Sequence, residues 1–484
     1  MTDERHAAEA GAEAAADGGV LLNLFCHGLG DCHLLGLPAT AGGRVWMLID
    51  CGLHGSTKGG SDRMRIVKEA LRRELGDKEI AVVALTHEHW DHNSGFHPTR
   101  GVIAAGAPPV GEVWLAWTED AACPLGGQLD KYKGQAFAAL DASEKRIAAV
   151  DSLRPLSRAW DALLGFYRQP VDDNGPTSGD FALKGEVTRT ARDAAASLAA
   201  PKPPRYLHPG DVLTIPGVDA VRCYVLAPPR DTKLLGLLDS VADTFSAASG
   251  QSPVLGALAN ALAVNAGSLT IDEDEASPFD GSEGMSLSKA KDEVAFLREH
   301  YSNEPDRMIE HDWLVGATDL ALQLDAKTNN TSLVLALEIV ATGHVLLFAA
   351  DAQVGNWQSW AKVEFKAVPG RPGTTGADLL ARTVFYKVGH HGSRNATLKE
   401  GLERMNALEI AFNPTDQAMA KKVGWGDIPA SKLNAELERR TKGRLIQSDA
   451  AWIRDRNKPI PIAPGGVLAS IERSDGPSLK LIIT

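Results

Sequence analysis

A chain of 484 residues is long enough for one large domain with insertions, or for two or three ordinary domains. With 44% hydrophobic and 23% charged residues and no tract long enough to cross a bilayer, the composition excludes a membrane-spanning protein and a wholly disordered one. A formal charge of −12 argues against a protein that works through general electrostatic attraction to nucleic acid. Residues 1–19 are rich in Ala and Glu and lack the basic start and continuous apolar core of a signal peptide, so a disordered tail is expected there. Residues 20–26 are apolar and β-like, and a Gly-rich turn, His27-Gly28-Leu29-Gly30-Asp31, leads to a second apolar run at 32–37. Residues 44–49 read as a strand ending in Asp50-Cys51-Gly52, so the fold opens as a hairpin-like sheet. Helical periodicity follows over 62–75, with Arg63, Arg65, Lys68, Arg72 and Arg73 forming a basic run that reads best as a solvated face. Residues 80–85 are wholly apolar, as in a strand buried on both faces, and 111–117 look like the next strand.

Residues 119–200 then turn helical and Ala-rich around a polar loop at 171–180. β character returns at 211–215 and 220–226, and a second helical stretch with an acidic loop at 271–284 occupies 232–321. Strands resume at 332–339, 344–349 and 383–388. A helix at 397–406, a strand at 409–412, a helix at 430–441 and a closing hairpin at 467–472 and 478–483 complete the chain. The pattern predicts an α/β domain over 20–484 with largely helical insertions at about 119–200 and 232–321. The five cysteines, Cys26, Cys32, Cys51, Cys123 and Cys223, are odd in number and show no C-x-x-C spacing. A reduced, cytoplasmic protein without a Cys-based zinc site is the expectation.

The run His87-Glu88-His89-Trp90-Asp91-His92 carries the strongest chemical signal. Four potential ligands fall within six residues directly after a buried strand, and imidazole and carboxylate suit zinc and other borderline divalent ions. In an extended loop His87 and His89 project to one side and can grip one ion, while Asp91 and His92 reach a second. Two ions roughly 3.5–4 Å apart would serve a hydrolytic displacement. A solvated turn is the alternative for so dense a histidine run. The H-E-x-x-H zincin pattern fails, because Asp91 stands where the second His belongs. Further ligands must come from later strand ends. Asp351 closes an apolar strand and fits a bridging carboxylate, although a turn former is the commoner role for such an Asp. His390 and His391 follow another strand in Lys387-Val-Gly-His-His-Gly-Ser393, where Gly392 permits close backbone approach.

The H-x-H-x-D-H run, the strand-end Asp351 and the late His390 resemble the metallo-β-lactamase superfamily. The opening His27–Asp31, the strand end Ile49-Asp50-Cys51-Gly52, the segment Asn329-Asn330-Thr331-Ser332-Leu333-Val334-Leu335 and the H-H-G-S element resemble one branch more closely. That branch is the nuclease-like domain of the competence protein ComEC. The resemblance implies an αββα sandwich with metals at one edge of the paired sheets. It implies that His87 and His89 hold a first metal, that Asp91, His92 and His390 hold a second, and that Asp351 bridges them. Asp50 would orient ligands from behind, and Asp91 and Asp50 are the candidate catalytic residues. Asp31, Asn330, Lys387, His391 and Ser393 would surround the site or meet substrate; by residue type alone Asp31 and Asn330 are ordinary turn formers and Ser393 a helix cap. Many relatives add a T-P-G-H histidine, but the corresponding stretch here, Leu226-Ala227-Pro228-Pro229-Arg230, has none, and His208 reads as structural.

The implied activity is metal-dependent hydrolysis, in which a metal-bound hydroxide attacks a phosphorus or carbonyl centre. Zinc, one ion or two, is the expected cofactor, with manganese the alternative. The resemblance favours a phosphodiesterase or nuclease, whereas the net charge favours a small phosphodiester over nucleic acid and leaves an acyl or ester substrate open. Arg230, Lys387 and Arg394 are the cations nearest the motifs, each more readily a solvated residue than a phosphate contact. A regulatory scaffold with a degenerate metal site is the second reading, and the insertion at 232–321 is a candidate lid or protein-docking element. No membrane partner is expected.

Overall fold

The computed structural model describes residues 18–99, 101–103, 108–149, 184–236, 287–300, 324, 327–367, 372–422, 427–474 and 476–484. The expected tail at 1–17 and the polar and acidic loops at 171–180 and 271–284 lie outside them. Two mixed sheets organise the chain. The first runs, in spatial order, β16 (Leu468–Arg473), β17 (Ser478–Ile483), β1 (Val20–Phe25), β2 (Cys32–Pro38), β3 (Arg44–Cys51), β4 (Ile80–Ala84), β5 (Val110–Ala116) and β6 (Arg205–Leu207). The second runs β15 (Leu445–Gln447), β14 (Ile410–Asn413), β13 (Thr383–Lys387), β10 (Val345–Phe348), β9 (Val334–Ile339), β8 (Val218–Ala227) and β7 (Val212–Ile215). A small hairpin joins β11 (Glu364–Phe365) to β12 (Thr374–Thr375).

Side-chain alternation explains the layering, because successive residues of a strand face opposite sides of its sheet. In β1, Val20, Leu22 and Leu24 enter the core between the sheets with Met47, Val82, Val225, Leu335, Leu346 and Phe412. The alternate residues Leu21 and Phe25 turn outward and pack with Val67, Leu71 and Leu75 of helix Gly60–Leu75. On the far side, Leu226, Ala336, Leu347 and Tyr386 of the second sheet meet Trp357, Trp360, Leu379, Leu402 and Leu433 of the outer helices. The result is the expected αββα sandwich. Strands buried on both faces lack the apolar–polar alternation of a one-sided sheet, which is why they read as continuous apolar runs.

Each sheet changes character part-way across. β1, β2 and β3 pair antiparallel, then β3, β4, β5 and β6 pair parallel. Likewise β7 to β10 pair antiparallel, whereas β10, β13, β14 and β15 pair parallel. Parallel strands place their carboxyl ends at one edge, where open α/β sheets bind ligands. The loops after β4, β10 and β13 carry the six expected ligands, His87, His89, Asp91 and His92, then Asp351, then His390. Strands β6 and β15, three residues each, were too short to register as periodic runs.

A second compact unit comprises Lys131–Leu163 and Gly250–Leu324. Its described parts are the later turns of helix Pro124–Ala149 and helices Leu287–Glu293 and Ala295–His300. Among the described residues no helix is long and apolar enough to cross a membrane, and all five cysteines are free.

Candidate metal centre

Strand β4 ends at Ala84, and the chain runs on through Thr86-His87-Glu88-His89 into the single turn Trp90–Asn93. Every side chain from Thr86 to Asn93 is buried. Asp50 is the penultimate residue of β3 and has φ +54, a left-handed conformation that Asp tolerates better than most residues. Its Oδ1 accepts the Thr86 backbone N–H at 2.8 Å, and its Oδ2 accepts the Thr86 hydroxyl at 2.7 Å. The same Oδ2 accepts from His92 Nδ1 at 2.8 Å. That bond fixes the His92 tautomer and presents Nε2 to Asp351 Oδ1 at 3.2 Å and Asp91 Oδ2 at 3.8 Å. The Thr86 hydroxyl, committed as donor to Asp50, accepts from His87 Nδ1 at 3.1 Å, which leaves His87 Nε2 facing His89 Nδ1 at 3.0 Å. Asp50 thus orients the His92 ring and ties down the loop that carries it.

From the second sheet, Asp351 follows β10 and His391 follows β13. His391 Nδ1 donates to the Pro414 carbonyl at 2.6 Å, and its Nε2 meets Asp91 Oδ2 at 2.9 Å and Asp351 Oδ2 at 3.8 Å. Among the described residues, three groups each bring three or more ligand atoms within 4.8 Å of one another. One is Asp91, His92, Asp351 and His391; another is His87, His89 and Asp351. The third, Asp31, Asp50 and His92, lies on the other side of the His92 ring. A cation of the protein already serves it, because the buried Lys387 ammonium contacts Asp31 Oδ2 and donates to the Ala350 carbonyl at 3.0 Å.

The first two groups fit a divalent cation. Asp91 Oδ1, Asp351 Oδ2 and His92 Nε2 are buried and make no hydrogen bond, a costly arrangement unless an ion uses them. Burial holds His87 well below the ordinary imidazole value and His89 at about 3, so both rings are neutral and free to offer a lone pair to an ion. Burial alone would raise Asp351 and Asp91, but His92 and His391 outweigh it and hold both carboxyls down, Asp351 well down. Burial also opposes protonation of His92 and His391, yet Asp351 and the neighbouring carboxylates prevail and raise both. Positive charge is what these carboxylates demand, and a bound ion would release the two protons in supplying it.

The positions read from the sequence divide clearly. His87, His89, Asp91, His92 and Asp351 come together, and Asp50 and Asp31 lie against them. His390 does not join either group, and His391 stands where His390 was expected. Both adopt positive φ, +43 and +53, so the tight turn sends the two consecutive rings in different directions. His390 instead donates its backbone N–H to Asp351 Oδ1 at 3.1 Å. Its ring lies among the Ser393 hydroxyl and the amides of Gln353 and Asn329, and burial lowers it to about 4. Ser393 therefore serves His390 and is no helix cap. Asn330 is buried beneath the site in a loop tied by its carbonyl to Asn356 Nδ2 at 3.1 Å. Lys387, expected around the site by resemblance and solvated by residue type alone, is buried against Asp31 and Asp351. Arg394 is exposed, and Arg230 lies 4.2 Å over the Trp117 ring. His208 stacks on Trp117 at 6.4 Å and takes no part in the groups above. His54 was missed: it is buried in the loop after β3, lowered to about 4 by burial and electrostatically coupled to Asp91 and His391. A lone His between Leu53 and Gly55 carries no sequence signal for it.

Two substitutions test the support of this centre. A Cβ at Gly52 would lie 2.3 Å from the Asp91 carbonyl carbon and 2.4 Å from the His92 nitrogen, so the metal loop would have to move. Gly52→Ala is expected to cost about 1–3 kcal/mol, measured by denaturant unfolding, and to weaken metal binding in the same protein. Asp50→Asn keeps the shape but replaces an oxygen that accepts from both Thr86 and His92. With its NH2 at the Oδ2 position the amide loses the bonds from the Thr86 hydroxyl and His92 Nδ1, and at the Oδ1 position the bond from the Thr86 backbone N–H. Either loss costs about 1–3 kcal/mol, and an unchanged unfolding midpoint would contradict the assigned network.

Residues 28–154 match the family model of the Metallo-beta-lactamase superfamily, a span that contains the whole H-x-H-x-D-H run. The α/β sandwich built around that segment is the metallo-β-lactamase fold. No curated protein matches the chain in sequence.

Proposed function

We propose that this protein is a metal-dependent hydrolase acting on phosphodiester bonds, close to the ComEC-like branch of the metallo-β-lactamase fold, with zinc or manganese as its ion. The observation that carries this reading is Asp351, whose carboxylate is shared by two buried groups of neutral or displaceable His and Asp donors. When bound, the ions supply Lewis acidity and lower the pKa of water, as divalent ions do in two-metal hydrolases. His87, His89 and Asp351 would hold one ion; three protein ligands with a further position left open is the pattern of catalytic rather than structural zinc sites. Asp91, His92, His391 and Asp351 would hold the other. Pro414 and Asp50 keep the His391 and His92 rings in the ligating tautomer, and the Lys387 ammonium holds Asp31 away from the ion sites.

The H-H-G-S, I-D-x-G and N-N-x-S-L-V-L elements support phosphodiester chemistry, and the net charge of −12 supports a small substrate over a long nucleic acid. A panel with added zinc or manganese should compare a chromogenic phosphodiester, single- and double-stranded DNA, RNA and a β-lactam. Turnover of the phosphodiester, lost in Asp91→Ala, is the expected outcome. Turnover of the β-lactam alone, or activity that Asp91→Ala leaves intact, would contradict it.

A further inference from the structure

Glu88 sits between the two histidines of the metal loop and belongs to neither metal-capable group. In an extended segment its side chain projects opposite to His87 and His89. What it meets there is helix Lys184–Ala196, outside the span matched to the family. Val187 and Ala191 of that helix pack on Trp90, and Thr188 accepts the Asn93 side-chain amide on its carbonyl at 2.9 Å. The Thr188 hydroxyl donates to Glu88 Oε1 at 3.3 Å. Arg192 Nη1 donates to Glu88 Oε2 at 2.9 Å, to Glu119 Oε2 at 3.1 Å and to Asp130 Oδ1 at 3.2 Å, while its Nη2 holds Asp193 at 2.9 Å. Glu88 is 2% exposed and Glu119 4%, so both carboxylates are buried against one guanidinium. The guanidinium is held from two sides, Nε and Nη2 by Asp193 and Nη1 by Glu88, Glu119 and Asp130, and this planar fork fixes direction as well as charge, which a lysine ammonium does not.

We propose that Arg192 is a positioning residue of the metal centre: by gripping the Glu88 carboxylate from behind the loop, it holds His87 and His89 with their ring nitrogens turned to the ion. The inference rests on the metal-binding reading above. It assigns a role at the site to a helix of the predicted insertion, through its contacts with three residues of the metal loop, Glu88, Trp90 and Asn93.

The test is a cobalt(II) titration of the full chain, read by the visible d–d spectrum and by affinity, beside the unfolding midpoint of the metal-free protein. Glu88→Ala leaves Arg192 its three other carboxylates and so orphans no buried charge. Arg192→Lys keeps the charge but not the fork. Both variants are expected to bind cobalt about 10- to 100-fold more weakly, the effect of losing an outer-shell support. Their d–d bands should shift while the metal-free midpoint stays near wild type. Glu88→Gln, of the same shape, should recover part of the affinity, and it carries the test if Glu88→Ala fails to fold. Wild-type affinity and spectrum in either Arg192→Lys or the Glu88 variant overturns the proposal. Failure of the wild-type chain to bind cobalt at all would instead overturn the metal-binding reading.

Discussion

Asp351→Ala should abolish hydrolysis, with a loss well beyond the roughly 10- to 100-fold that removing an outer support costs a metal site. The reason is its position: it is the one carboxylate common to both metal-capable groups, so its removal strips a donor from each. The effect on stability is separate and also large. In the metal-free protein the Asp351 carboxylate faces His92 at 3.2 Å, Lys387 at 3.7 Å and His391 at 3.8 Å, all buried. Removing it leaves these groups short of negative charge, and breaking buried ion pairs in this way costs about 3–5 kcal/mol. Activity and denaturant unfolding measured on one preparation separate the two effects. An active variant would show that the two groups do not share this residue in function.

The second large effect distinguishes the paired histidines. His391→Ala removes an imidazole whose Nε2 faces both Asp91 and Asp351, and should lower activity at least about a hundredfold with loss of one ion. His390→Ala keeps the backbone N–H that donates to Asp351 and removes only a ring held by Ser393, Gln353 and Asn329. Its activity should stay within about tenfold of wild type, with metal content unchanged. The reverse order of severity would restore His390 as the ligand and contradict the turn geometry.

That pair also shows how far the sequence could be read. Clustered ligands after strands that are apolar throughout made the site edge and most of its donors legible, because buried parallel strands and H-x-H spacing leave local signatures. Between His390 and His391 no local signature decides: one residue's difference in a turn of two positive φ values selects which ring joins the Asp91–Asp351 group, and the deciding contacts come from Pro414 and Asp91, outside the turn itself. Lys387, which the family resemblance places around the site, has no local signature for its burial. A lysine ending a strand is usually solvated, and only the carboxylates of Asp31 and Asp351, brought in from two other strand ends, make its burial favourable. Arg192 was invisible in the same sense, since nothing in a helical, Ala-rich segment announces that its arginine meets a loop a hundred residues earlier. The three-residue strands β6 and β15 carried too few residues to show a period.

The proposed function requires that His87, His89, Asp91, His92, Asp351 and His391 form one metal centre. Its most direct test is metal content, determined by plasma mass spectrometry after chelation, reconstitution with zinc or manganese and removal of excess ion. The wild-type chain should retain about two equivalents, and Asp351→Ala less than about one. A wild-type chain that retains none, or an Asp351→Ala variant that retains as much as wild type, would contradict it.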